Sequence, residues 1–167
     1  MLKKALSVIL VIAIIGTIVA ISYYLVIQKT PQKFTEFYIL GLNGMADDYP
    51  SHLTMNGGQV SEITYGDTTF ETTNGDGLVN LGIVNEEQQS TVYTVEMFIN
   101  NEPDNIDFGG TIVNELGPIG LQQGGRWENT IGFIPKQVGD NQEVEFLLYE
   151  TGNTKPIDEL YFWIDVN

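Results

Sequence analysis

The chain has no cysteine. That excludes disulfides, a thiolate nucleophile, lipoprotein acylation and cysteine-based zinc sites, and it leaves the compartment open. Histidine is almost as scarce, with His52 the only one. Zinc and copper sites ordinarily draw on more than one His or Cys, so no transition-metal centre is expected. A hydrolase needs a nucleophile, a base and an orienting group. Ser51 adjoins His52, but neighbours on a strand point to opposite faces, so no Ser–His pair is expected there. His52 reads as a surface or turn histidine. No Asn-x-Ser/Thr sequon is present, and no glycine-rich run follows a strand and opens a helix. No cofactor is expected, and the chain reads as a non-enzyme.

Basic residues are few and unevenly placed. Residues 1–33 carry Lys3, Lys4, Lys29 and Lys33 and no acid. Residues 34–167 set Arg126, Lys136 and Lys155 against all 22 acids, a net charge of −19. Such a surface repels phosphate, which excludes a nucleic-acid partner; it suits simple solubility, in high salt or outside the cytoplasm, or else attraction of cations and basic partners. With 22 acids to choose from, no pair of carboxylates marks glycoside chemistry.

The uncharged run "ALSVILVIAIIGTIVAISYYLVI", residues 5–27, is what the first part does contain. As a helix it would span ~35 Å at 1.5 Å per residue, enough to cross a hydrocarbon core of about 30 Å with some tilt. Tyr23 and Tyr24 suit an interface, and Lys3 and Lys4 favour a cytoplasmic N-terminus. The expectation is a transmembrane anchor over 1–28 and a linker over 29–33. An extracytoplasmic domain over 34–167 would follow, in a single-pass protein of the cell membrane. Ala20-Ile21-Ser22 offers a signal-peptide alternative, although the apolar run continues past it. A pilin-type leader is a second alternative, without the early glutamate common in such leaders. Ala13, Gly16, Thr17 and Ala20 form a small-residue stripe suited to helix packing. The expected partners are lipid along 5–27 and other membrane or envelope proteins, with self-assembly as an option.

From Phe34 onward there is no helical period. Short β-branched and aromatic runs alternate with Gly/Asn/Asp punctuation. The runs are 34–40, 59–65, 68–73, 77–85, 91–100, 125–135, 143–150 and 159–166. In "TVYTVEMFIN" the set Tyr93, Val95, Met97 and Ile99 is the core face. "TNGDG" at 73–77 reads as a hairpin turn between strands, Leu42–Gly44 as a turn, and Gly82 as a bulge or a point of close backbone approach. The fold class is all-β, an antiparallel immunoglobulin-like β-sandwich behind one N-terminal transmembrane helix. Calcium needs only oxygen ligands, and the candidates are Asp47 with Asp48, Asn74 with Asp76, and Asp104 with Asp107. None matches the EF-hand loop, and turn or solvated-loop roles serve equally well.

Five blocks carry a resemblance. They are "TEFYILGLNGMADDYPSHL" (35–53), "GIVNEE" (82–87) with "YTVEMFIN" (93–100), "GGRWENTIGFIP" (124–135), "VEFLLYE" (144–150) and "LYFWIDV" (160–166). In this order the outer domain resembles the archaeal membrane-protein family known as domain of unknown function 1616. Members of that family typically carry several membrane helices before the domain, where this chain has one. "QVSEITYGDTTFETT" (59–73) looks like an insertion. The resemblance implies an extracytoplasmic β-domain and no particular chemistry. The functional expectation is a non-catalytic, membrane-anchored module of the envelope or accessory subunit of a membrane complex. The alternatives are a pilin-like filament subunit and a calcium-dependent adhesion domain.

Overall fold

The structure is a computed structural model that describes residues 13–24, 33–46, 48–72 and 74–167. The chain divides into two compact units, Met1–Gln32 and Lys33–Asn167. In the first, residues 13–24 form a helix, α1, with exposed side chains. Thr17 Oγ1 donates to the Ala13 carbonyl at 2.8 Å, which spares the hydroxyl an unpaired proton on an apolar helix. Among the described residues no helix is long and apolar enough to cross a membrane. The remainder of the expected 5–27 span, and the 29–32 part of the linker, lie outside the described residues.

The second unit is built from thirteen strands. One sheet joins β1 (Thr35–Leu40), β5 (Gly77–Asn85), β11 (Arg126–Phe133), β8 (Ile106–Phe108) and β9 (Thr111–Val113), in that order. The larger sheet runs β10 (Leu116–Leu121), β6 (Thr91–Ile99), β12 (Gly139–Glu150), β13 (Asp158–Val166), β2 (Pro50–Asn56), β3 (Gln59–Tyr65), β4 (Thr68–Glu71). A short β7 (Glu102–Asp104) also pairs with β6.

Period-2 alternation decides which side of each strand is buried. Tyr93, Val95, Met97 and Ile99 on β6 all point inward, as expected from the sequence. So do Val144, Phe146 and Leu148 on β12 and Phe162, Ile164 and Val166 on β13. They meet Phe37, Ile39, Val79, Leu81, Ile83, Ile131 and Phe133 from the smaller sheet in a single hydrophobic cluster. β5 reads as a near-continuous apolar run because it lies between two partners, and Leu78 is also packed against the core.

Tight turns follow local chemistry. Asn56 and Gln59 pair across Gly57–Gly58, whose φ values are 63° and 85°. Ile99 and Glu102 pair across Asn100–Asn101, at 52° and 65°. Two successive left-handed residues give the two-residue turn whose twist matches the flanking strands, and Gly and Asn tolerate it best.

Three expectations need correction. "TNGDG" is not a hairpin turn, because β4 belongs to the larger sheet and β5 to the smaller. The segment carries the chain from one sheet to the other. The sheets are also not wholly antiparallel, since β13 runs parallel to β2 through Asp165↔His52 and Val166↔Leu53. Finally, the expected runs leave out β2 and the strands between Glu102 and Leu121, because β7, β8 and β9 are three residues each and β2 and β10 are interrupted by proline, glycine or polar residues.

Asn85 is fully buried at the end of β5. Its Nδ2 donates to the carbonyls of Gln89 and Leu121 at 2.8 and 2.9 Å, and its Oδ1 accepts from Glu87 N at 2.9 Å. One amide thus ties together the loops after β5 and after β10. Replacing it with leucine removes the partner of three partly buried backbone groups, at a cost of up to about 1–3 kcal/mol for each that water cannot reach. An Asn85→Leu chain is expected to melt well below the parent in differential scanning fluorimetry, and an unchanged midpoint would refute this role.

Candidate functional site

The outer face of the larger sheet is the most distinctive surface. None of its strands contains a lysine or arginine. On β6, β12 and β13 the outward residues interleave acids with large apolar groups. Glu145 lies between Phe98 and Tyr161, Leu147 lies between Glu96 and Glu159, and Glu143 lies opposite Trp163. Directly opposed side chains are about 4.5–5.5 Å apart at Cβ, so each acid touches an aromatic or aliphatic neighbour. Tyr161 and Trp163 pack edge to face at 5.1 Å and remain 52% and 49% exposed. These are large hydrophobic side chains left in water on a sheet whose other face already holds the core.

Electrostatics on this face are unbalanced. Burial, then Glu143 and Glu159, raise the Glu145 carboxyl above the ordinary value. Tyr149 is raised by burial and by Glu96, which it hydrogen-bonds. A nearby positive charge would favour the ionised Glu145 carboxyl.

At the β13–β2 junction the structure corrects a further expectation. Ser51 and His52 do meet, with Oγ 3.1 Å from Nδ1. A register irregularity between Pro50 and His52 breaks the alternation that would have separated them. His52 Nε2 also lies 3.3 Å from Asp165 Oδ2. The three residues resemble a hydrolytic triad in composition, but the serine hydroxyl also reaches the Thr64 carbonyl, to which it donates at 3.3 Å. Asp165 Oδ1 accepts from Asn141 N at 2.7 Å. The array fastens the parallel strand pair to the irregular start of β12.

The smaller sheet presents a compact polar cluster. Tyr38 lies opposite Gly82, and its ring covers the glycine so closely that a β-carbon there would overlap it. Gly82 sits in unbroken register, so it marks no bulge, and the group that approaches it is a ring rather than backbone. Arg126 lies over the same ring at 5.4 Å and donates to the Tyr38 hydroxyl at 2.8 Å and to Glu128 at 2.7 Å. Tyr38 in turn donates to Glu128 at 2.6 Å. These bonds hold the Glu128 carboxyl below its ordinary value and raise Arg126. A valine at Gly82 would lift the ring and release Arg126. Because the cluster is exposed, Gly82→Val is expected to cost only about 1–2 kcal/mol, read by chemical denaturation.

Between the edges β9 and β10 lies an apolar groove of about 390 Å³, lined by Phe108, Val113, Leu116, Ile119 and Trp127 among others. Trp127 is half-buried and also packs on the core.

The calcium candidates are re-sorted. Asp47 lies outside the described residues. Asp48 accepts from Asn43 Nδ2 at 2.7 Å in the turn that follows β1. Asp104 is buried and ion-paired with Lys136 at 3.0 Å, which removes it from Asp107. Asp107 instead meets Asp76, carboxyl to carboxyl. Asn74 shares a cavity wall with Asp76. Among the described residues no three acidic or histidine side chains gather as a metal-binding group. The expected helix-packing residues Ala13, Gly16, Thr17 and Ala20 all lie in α1 with exposed side chains, and a β-carbon at Gly16 would meet nothing within 4 Å.

The fold is a mostly antiparallel β-domain with an acidic and aromatic face on its larger sheet. The family model for the domain of unknown function 1616 matches residues 63–165, and the chain belongs to that family. No curated protein matches it. Among solved structures it is similar to a FixG-related protein from Vibrio parahaemolyticus, at 15% identity and a TM-score of 0.46. That likeness covers 80% of this chain and 96% of the other. It is also similar to the N-terminal domain of PorA, at 9% identity and a TM-score of 0.40, over 79% of this chain and 98% of that one. Likenesses this distant carry nothing about function.

Proposed function

We propose that the protein is a non-catalytic, membrane-anchored module whose outer domain, an immunoglobulin-like sandwich outside the cell, docks a basic segment of a partner in a membrane complex. Residues 5–27 would be the anchor, with the N-terminus in the cytoplasm. The observation that carries the docking is the outer face of the larger sheet. Half-exposed Tyr161 and Trp163 stand among Glu96, Glu143, Glu145 and Glu159, and no lysine or arginine comes from that sheet. A lysine or arginine segment supplies both missing elements. Its charge relieves the carboxylates, and its alkyl stem and cationic head pack on the rings, each such contact contributing about 0.5–1 kcal/mol at an exposed site.

The test is titration of the full chain in detergent with a lysine-rich synthetic peptide, read by tryptophan fluorescence. Saturable binding that weakens with salt is expected. Glu143→Lys with Glu145→Lys should weaken it at least about 10-fold, because each reversal replaces attraction by repulsion. Equal binding by the parent and the double variant would refute the face.

Assembly with the rest of the complex would use the small-residue stripe of α1. Gly16→Ile is expected to release the chain from its complex in native membranes, read by blue native electrophoresis. Retention at full yield would remove the stripe from the proposal. A self-assembling reading draws on β1, which ends its sheet and offers an edge for strand addition. Electron microscopy of sheared surface material decides that one, since filaments lacking this chain would end it.

A further inference from the structure

We infer that Asp76 and Asp107 form a binding site for a hard divalent cation, calcium in the first instance, bridging the start of β5 to the β8–β9 hairpin. The two residues are far apart in sequence and are joined only by the fold. Asp107 on β8 registers with Gly132 on β11. Asp76 lies against the same glycine, so closely that a β-carbon at Gly132 would overlap its Oδ2. Gly132 is therefore the gap through which the two carboxyls meet.

The second observation concerns Asp76 itself. It is only 3% exposed, and its Oδ1 has no hydrogen-bond partner. A buried carboxylate ordinarily finds an Arg, a Lys or several N–H donors. Here the nearest charge is another carboxyl, and burial and Asp107 both act against ionisation. Among the described residues, Lys136 lines a cavity with Asp107 but is engaged by Asp104 at 3.0 Å. Asp107 Oδ1 accepts from Gly110 N at 2.7 Å, which fixes the hairpin and leaves its other oxygen toward the pair.

Two arrangements relieve such a contact. A proton shared between the carboxyls satisfies one oxygen of each and leaves Asp76 Oδ1 bare. A divalent cation neutralises both charges and engages Oδ1 as well. With no histidine or cysteine at hand, the donors are all oxygen, which selects calcium or magnesium over transition metals. Other oxygens line the cavities on either side: Thr72 and Asn74 share one of about 170 Å³ with Asp76, and Asn105, with Asp104 and Lys136, shares a separate one of about 250 Å³ with Asp107. Magnesium demands near-ideal octahedral geometry and gives up its waters reluctantly, so a buried, irregular set of carboxylate, amide and hydroxyl oxygens suits calcium better. Two carboxylates make a weak site, with Kd on the order of 0.1–1 mM, as in extracellular calcium modules.

The experiment is thermal melting of the full chain in detergent at neutral pH, with EDTA, with millimolar CaCl2 and with millimolar MgCl2. Calcium should raise the midpoint by roughly 3–8 °C over EDTA, and magnesium by clearly less. Asp76→Asn and Asp107→Asn should each abolish the calcium response. Asp76→Asn should also melt no lower than the parent in EDTA, because it removes the like-charge contact. Should one variant fail to fold, the other carries the test. No calcium-dependent shift in the parent overturns the site. So does a shift kept in both variants, which would be diffuse binding to the acidic surface, and so does an equal shift with magnesium.

Discussion

Phe162→Ala is expected to destabilise the domain by about 3–5 kcal/mol, the largest loss from any single truncation that keeps the backbone intact. Phe162 is the hub of the aromatic core. Its ring centroid lies 5.9 Å from Tyr49, 5.9 Å from Phe133 and 6.5 Å from Phe146. Phe133 belongs to the smaller sheet, and Tyr49 to the segment leading into β2. Removing one ring therefore loosens both sheets and that segment, and neighbours held in strands cannot collapse to fill the space. Aromatic pairs add about 0.5–1.5 kcal/mol each beyond area burial, which places the loss toward the upper end. Trp163→Ala, one residue along the same strand, is the control. Its side chain faces water, so the expected cost is below about 1 kcal/mol. Urea denaturation of both variants reads the difference. Equal losses would mean that Phe162 is not a packing hub.

The contrast between Phe162 and Trp163 also shows what a period-2 pattern reveals and what it hides. Alternation in "ELYFWIDV" and "TVYTVEMFIN" predicts the inward set, because burial on one face is a local consequence of the pleat. It cannot say which strands are neighbours. "TNGDG" has hairpin chemistry, yet β4 and β5 lie in different sheets. A turn fixes the direction of the chain over a few residues, while sheet membership depends on where distant strands have room. The outer face was hidden for the same reason. Glu143, Glu145, Phe98, Tyr161 and Trp163 become one surface only when β6, β12 and β13 are laid side by side.

The site residues divide along similar lines. Asn74 with Asp76 and Asp104 with Asp107 are the natural pairings by sequence distance. In the fold Lys136 takes Asp104, and the crossover from β4 to β5 brings Asp76 to Asp107. Ser51 and His52 failed in the opposite direction. Regular alternation separates them, and an irregularity opposite Thr64 and Tyr65 puts them together. The glycine at 132 carried no signal of its own. Its role is to be absent from the space that Asp76 fills.

That role makes Gly132→Val the second large expectation. The new side chain would arise where Asp76 Oδ2 lies, between buried Ile131 and Phe133. The strand cannot retreat, because β5 and β8 hold it on both sides. Asp76 would have to leave, and the cost is expected to be about 3 kcal/mol or more, as for overpacking combined with a displaced buried polar group. Asp76→Ala opens the same space, so the double variant should cost far less than the sum of the two single ones, a coupling of about 1–3 kcal/mol. Additive losses would show that Asp76 and Gly132 do not compete for one volume. The pH profile gives an independent reading. Burial and Asp107 raise the Asp76 carboxyl above the ordinary aspartate value of about 4. The folded state therefore binds the proton more tightly than the unfolded one, and in EDTA the Asp76 contribution to stability falls as pH rises from about 4 through that raised value. Glu145 has the same sign and Glu128 the opposite, so the parent is compared with Asp76→Asn at each pH. The difference should favour the asparagine variant increasingly toward neutral pH, and calcium should shrink it. A difference that does not change with pH would mean that Asp76 keeps an ordinary carboxyl and that the pair with Asp107 is not formed in solution.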